Sequence, residues 1–120
     1  LWCKKNNEKE VVVWGNGEST RDFCYVEDIA EGIVSAAEKY NKSDPVNLAS
    51  GQEVKIKDIA LMIKNKIGYN GKIIWDTSKP AGPERRKVDI SKAKNEFGYE
   101  VKTNLKDGIQ KTIEWYLSKI

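Results

Sequence analysis

The chain has 120 residues, 39% hydrophobic and 32% charged, with a net charge of +3. That suits one soluble, globular domain rather than two, and no apolar run approaches the ~18–20 residues of a membrane span. With no histidine, imidazole-based catalysis and His-ligated zinc are excluded, and two cysteines cannot complete a four-thiolate metal site.

In chain order, Leu1-Trp2-Cys3-Lys4-Lys5 has no apolar stretch behind it and does not read as a signal peptide. The chain opens on Leu rather than Met, which predicts a fragment of a longer protein. Val11-Val12-Val13-Trp14 is a β-branched run and predicts a strand. It ends in the turn signal Gly15-Asn16-Gly17. Arg21-Asp22-Phe23-Cys24-Tyr25 predicts a second extended piece. Val26, Ile29, Ala30, Ile33, Ala37 and Tyr40 recur at helical spacing and predict a helix over roughly 27–39. Val46-Asn47-Leu48 predicts a short strand and Ser50-Gly51 a turn. Ile56, Ile59, Ala60, Ile63 and Ile67 predict a second amphipathic helix, stopped by Gly68.

Lys72-Ile73-Ile74-Trp75 predicts another strand, followed by a polar loop from Asp76 to about Lys87 with Pro80, Gly82 and Pro83. Asp89 or Ser91 caps a short helix with Ile90, Ala93 and Phe97 on one face and Gly98 after it. Asn104 caps the last helix, with Asp107 at the third position of a capping-box pattern; its apolar face is Leu105, Ile109, Ile113, Tyr116, Leu117 and Ile120. The sum is α/β: a small mixed domain of short strands and about four helices. Cys3 and Cys24 are expected to be reduced, Cys24 as a small buried hydrophobe, which points to the cytoplasm. Trp75 and Trp115 fall in apolar patterns and read as core.

The distribution of charge says more than its sum. Of 21 basic residues only Arg21, Arg85 and Arg86 are arginine, and all three lie in or beside glycine-bearing loops. The lysines are scattered along helical segments beside Glu and Asp, as on a solvated face. Arginine's planar fork binds phosphate or carboxylate bidentately, which lysine cannot do. Trp14 and Arg21 flank the glycine turn, placing an aromatic plane and a guanidinium on one loop; an aromatic plane stacks on a base or sugar. The segment Lys79-Pro80-Ala81-Gly82-Pro83-Glu84-Arg85-Arg86 reads as a shaped loop presenting charge.

Two cofactor readings fail. Gly15-Asn16-Gly17 is not a dinucleotide fingerprint, since Thr20 stands at the third glycine position and no helix starts inside the motif. No tyrosine has a lysine four residues later, so a Tyr-x-x-x-Lys catalytic pair is absent. No catalytic residue, cofactor-binding residue or metal ligand is therefore expected on this chain.

Four motifs in order carry a family resemblance: the segment from Trp14 through Arg21-Asp22-Phe23 and Asp28 to Ala30, then Val46-Asn47-Leu48-Ala49-Ser50-Gly51, then Lys79 through Arg85-Arg86 to Ala93, then Phe97-Gly98-Tyr99 with Asn104-Leu105, Gly108 and Trp115-Tyr116. From about Val11 to Leu117 the chain resembles the C-terminal substrate domain of extended short-chain dehydrogenases, the NAD-dependent epimerase/dehydratase family. Within it, Trp-Gly-x-Gly with Arg seven residues after the Trp, and Trp75-Asp76-Thr77-Ser78-Lys79-Pro80, are most similar to the GDP-L-fucose synthases. Tyr25 stands where the family often has His, and Ala81 where the fucose synthases usually have Asp.

The resemblance implies that Arg21 and Arg85 contact the diphosphate of a nucleotide sugar, with Arg86 as neighbour. It implies that Trp14 lines the sugar or nucleotide pocket and that Asn47 hydrogen-bonds the nucleotide end. NAD or NADP would be bound by an N-terminal Rossmann domain of the same parent, absent here, leaving residues 1–120 as one substrate-binding domain. Self-association through Leu1 and Trp2 is expected, and neither nucleic acid nor membrane is an expected partner. The rival readings are a UDP- or dTDP-sugar enzyme and a stand-alone basic binding module. Sharing one diphosphate requires Arg21 and Arg85 to meet, although 64 positions separate them.

Overall fold

The computed structural model describes residues 1–80 and 82–119. Ala81 in the polar loop and Ile120 at the end of the last apolar face lie outside the described residues. The chain forms two compact units, each built from two separate stretches: Leu1–Arg21 with Val54–Arg86, and Asp22–Glu53 with Lys87–Ile120.

The first unit contains α1 (Trp2–Lys5), β1 (Glu10–Trp14), β2 (Thr20–Arg21), β3 (Val54–Lys55), α3 (Ile56–Lys66) and β4 (Lys72–Asp76); α2 (Val26–Lys39) falls between β2 and β3 in sequence and belongs to the other unit. β1 and β4 pair in parallel, with Val12 opposite Ile74 and Trp14 opposite Asp76. Their burial alternates as a pleated strand requires: Val11, Val13, Ile73 and Trp75 are half-buried, while Glu10, Val12, Trp14, Lys72 and Ile74 are exposed. β2 and β3 pair antiparallel, Thr20 with Lys55 and Arg21 with Val54. α3 runs straight out of β3 and stops before Gly68. Tyr69 is the buried apolar side chain of this unit, and its hydroxyl donates to the Glu8 carbonyl at 3.2 Å.

The second unit contains α2, α4 (Ser91–Phe97) and α5 (Leu105–Leu117). Its core is Ala49, Ile90, Ala93, Phe97 and Tyr99, against which Ala36, Tyr40, Val46, Leu48, Val88 and Val101 pack. α2 comes close to Tyr99 because position 32 is glycine: a Cβ there would fall 2.7 Å from the tyrosine ring. The Tyr99 hydroxyl donates to the Ala49 carbonyl at 2.9 Å and lies 3.5 Å from Cys24 Sγ. Burial pushes the Tyr99 phenol and the Cys24 thiol up, each to a pKa above its ordinary range.

Two carboxylates fasten this unit's loops. Buried Asp28 accepts from the Lys102 and Thr103 backbone N–H groups, Thr103 at 3.0 Å. Asp22 accepts from Ser50 N–H and Gly51 N–H, both at 2.8 Å. Asn104 caps α5 by accepting from Asp107 N–H at 3.0 Å. Asp89 accepts from Ser91 N–H at 2.9 Å at the start of α4. Gly98 closes α4 at φ +73°, in open space, so its backbone conformation is what calls for glycine.

Several expectations are corrected. Among the described residues five helices form, the four read from the sequence and α1, which adds one short turn. Of the extended piece expected over residues 21–25 only Arg21 lies in a strand, Thr20–Arg21, since Asp22 turns to the Ser50-Gly51 loop instead of continuing a ladder. Residues 46–48 make no ladder among the described residues; their alternating burial is that of a strand, but no pairing partner is present. Cys24 is half-buried. Trp115 is 62% exposed, so the last helix's aromatic end is not core, and Trp75 is half-buried rather than part of the buried core.

Candidate functional site

Parallel strands bring their carboxyl ends to the same edge, which is where open α/β sheets place their ligand-binding loops. β1 ends at Trp14 and feeds the glycine turn; β4 ends at Asp76 and feeds the polar loop. The two ends are tied together by Gly15 N–H, which donates to the Asp76 carbonyl at 2.9 Å.

The glycine turn returns into β2 under tight packing. Lys57 N–H donates to the Gly17 carbonyl and Ile56 N–H to the Ser19 carbonyl, each at 3.0 Å. A Cβ at Gly17 would meet the Trp75 ring at 2.8 Å. The glycine therefore serves strand packing, and the turn leads to a strand and not a helix. These residues do not fit the pyrophosphate cradle of a dinucleotide.

β2 then captures the polar loop. Thr20 N–H donates to the Glu84 carbonyl at 2.8 Å and Arg86 N–H to the Thr20 carbonyl at 3.2 Å, so Thr20 and Arg85 form a parallel bridge. Arg21 fixes the same loop with its side chain: Nη1 donates to the Thr20 carbonyl at 2.7 Å and to the Pro83 carbonyl at 2.9 Å. Gly82 sits beneath this guanidinium at φ +70°, and a Cβ there would lie 3.3 Å from Arg21 Nη2. Nε and Nη2 are the part of the fork that an anion would engage.

Nearby lysines are committed elsewhere. Lys55 and Lys57 both pair with Glu18, Lys55 at 2.7 Å. These hydrogen bonds, Lys55's first, hold the Glu18 carboxyl at about 2.

The bridge brings the backbone of Arg85 and Arg86 alongside β2 and Arg21, with Arg21 half-buried and the other two exposed. Trp14 belongs to the same unit, 66% exposed at the carboxyl end of β1. Asn47 belongs to the second unit, exposed between half-buried Val46 and Leu48. Sequence reasoning missed Thr20, whose backbone performs the capture and leaves no side-chain signal. It also gave no role to Asp76, although the Asp-x-Ser spacing to Ser78 is a legible Asx-turn signature. Among the described residues no group of His, Cys, Asp and Glu could hold a metal ion, and no helix is long and apolar enough to cross a membrane.

Polar loops gathered at the carboxyl ends of a parallel strand pair mark this as an α/β ligand-binding architecture. The model of the GDP-mannose 4,6 dehydratase family matches residues 3–112, and the chain belongs to that family. It is 40% identical over 98% of its length to GDP-L-fucose synthase 1 of Arabidopsis thaliana, covering 36% of that protein. Among solved structures it superimposes with a TM-score of 0.89 on a GDP-L-fucose synthetase from Naegleria fowleri bound to NADP, at 25% identity, covering 98% of this chain and 37% of that one. A GDP-6-OMe-4-keto-L-xylo-heptose reductase from C. jejuni gives 0.84 at 32% identity, covering 94% of this chain and 35% of that one. The chain spans little more than a third of the length of the curated relatives it matches, 36% for each of three plant proteins. The resemblance read from the motifs is borne out, as is the small mixed α/β fold.

Proposed function

We propose that this chain is the nucleotide-sugar-binding portion of an NAD(P)-dependent nucleotide-diphospho-sugar epimerase, dehydratase or reductase of the GDP-L-fucose synthase kind. The observation that supports the reading is the bridge between Thr20 and Arg85, which draws the backbone of the polar loop alongside β2, next to Arg21. In this reading Arg21 and Arg85 grip the diphosphate, with Arg86 adjacent. Trp14 lines the pocket next to the phosphates, and Asn47 hydrogen-bonds the nucleotide end. Residues 1–120 act as one substrate-binding domain of a longer cytoplasmic protein. The nicotinamide cofactor and the hydride step belong to the rest of that protein, so the 120 residues alone bind no cofactor tightly and turn nothing over. Their contribution is affinity and orientation.

Calorimetric titration of the whole natural protein with GDP tests this. Arg21→Ala and Arg85→Ala should each weaken GDP binding about 10-fold or more, the loss of a charge-assisted bond. Arg21→Lys should rescue poorly, because lysine lacks the bidentate fork. Unchanged affinity in both alanine variants would remove the diphosphate site. A steep salt dependence spanning many phosphates would favour a nucleic-acid module instead.

A further inference from the structure

Trp14 and Asp76 are register partners in the parallel β1–β4 pair. Adjacent strands lie about 4.8 Å apart and partners share a face, so Trp14 and Asp76 leave the sheet from neighbouring positions on the face that also carries exposed Val12 and Ile74. The carboxylate is fixed. Ser78 N–H donates to Asp76 Oδ1 at 3.0 Å and Ser78 Oγ donates to the same oxygen at 2.6 Å. Two bonds fill the acceptor capacity of Oδ1. Oδ2 takes no hydrogen bond among the described residues. The backbone is held as well, through Gly15 N–H on the Asp76 carbonyl at 2.9 Å.

We propose that Asp76 is a specificity-determining residue that accepts a hydrogen bond from a hydroxyl of the sugar ring, with Trp14 as the apolar plane under that ring. The proposal rests on the nucleotide-sugar reading above. An aromatic plane beside an immobilised acceptor fits a pyranose, whose C–H face is apolar and whose rim carries hydroxyl donors. The stoichiometry of lone pairs favours sugar over base. The two parallel N–H donors of a guanine edge need both carboxylate oxygens, and Oδ1 is already saturated. One hydroxyl needs one oxygen, and Oδ2 is the one remaining. The position agrees too: both strands run from this pair directly into the loops that carry Arg21, Arg85 and Arg86, so a group beside Trp14 is next to the phosphates.

The test compares GDP with GDP-L-fucose on the whole natural protein by calorimetry, for Asp76→Ala and Asp76→Asn. The Asp76→Asn variant keeps an oxygen for Ser78 and so the turn, while replacing the free acceptor with an N–H donor. Both variants should weaken GDP-L-fucose about 10-fold or more, the scale of a hydrogen bond to a charged group, and leave GDP within about twofold, since it lacks the sugar. Equal weakening of both ligands in Asp76→Asn would overturn the proposal, placing Asp76 at the nucleotide or in the shaping of the loop. No change for either ligand would overturn it as well. If the unsubstituted protein binds neither ligand, the nucleotide-sugar reading itself fails, and the proposal falls with it. Retained GDP binding alongside lost discrimination by the sugar supports the assignment.

Discussion

The two units solve different problems with the same kind of sequence. The second unit has a packed core, with Ala93 fully buried and Phe97 and Tyr99 nearly so, and it fastens its loops with the carboxylates of Asp22 and Asp28. Among the described residues the first unit buries one apolar side chain in that class, Tyr69. What holds its charged loop is mainly backbone, strand pairing and the bridge at Thr20, with the Arg21 side chain on the Pro83 carbonyl. Packing of side chains sets stability, since it removes apolar surface from water. Backbone pairing at strand ends sets where charges stand while leaving the charges themselves in solvent. The contrast predicts that substitutions in the second unit lower stability, and those in the loop of the first lower affinity.

The largest break in that contrast is Phe97→Ala. Deleting a ring buried to 5% exposure should cost about 3–5 kcal/mol, lost transfer energy plus cavity. Urea denaturation of the protein should show the midpoint fall, and an unchanged midpoint would mean the second unit is not the seat of stability. Next comes Asp28→Ala, which strips an acceptor from Lys102 N–H and Thr103 N–H. Leaving buried donors unsatisfied costs about 1–3 kcal/mol, and hydrogen exchange at residues 102 and 103 should accelerate in step.

Gly82→Ala sharpens the other side. At φ +70° with Arg21 Nη2 close by, an added Cβ costs about 1–2 kcal/mol of local strain. The expectation is weaker GDP binding with a thermal midpoint shifted by only a few degrees. A large drop in midpoint without loss of affinity would reverse the division of labour between the units.

Glu18→Gln carries the smallest effect. Lys55 and Lys57 hold the Glu18 carboxyl at about 2 against an ordinary 4.5. A carboxyl depressed on folding contributes stability that is fully present above pH 4.5 and lost as the pH falls toward 2. The variant should therefore lose a slight pH dependence of the thermal midpoint in that window and match the parent at its acid end. An identical slope between pH 4.5 and 2 in both proteins would show that the pair contributes nothing.

Much of this protein was decided locally. The β-branched run before Trp14, the apolar spacing of α2, α3 and α5, the Asn104 cap and the glycine after α4 all follow from short-range sterics and hydrogen bonding, which a few neighbouring residues settle. The arginine positions and the motif order likewise sufficed to name the family. Other features needed the fold. Whether 46–48 forms a ladder depends on a pairing partner that no local pattern supplies, and whether Trp115 is core depends on what covers α5, not on its apolar periodicity. The approach of the polar loop to the strand that carries Arg21 is the clearest case. It is made by the main chain of Thr20 with that of Glu84 and Arg86, and main-chain donors and acceptors are the same in every residue but proline. Sequence could place the charges on two loops; only the closing of a parallel bridge across the chain could put them at one edge.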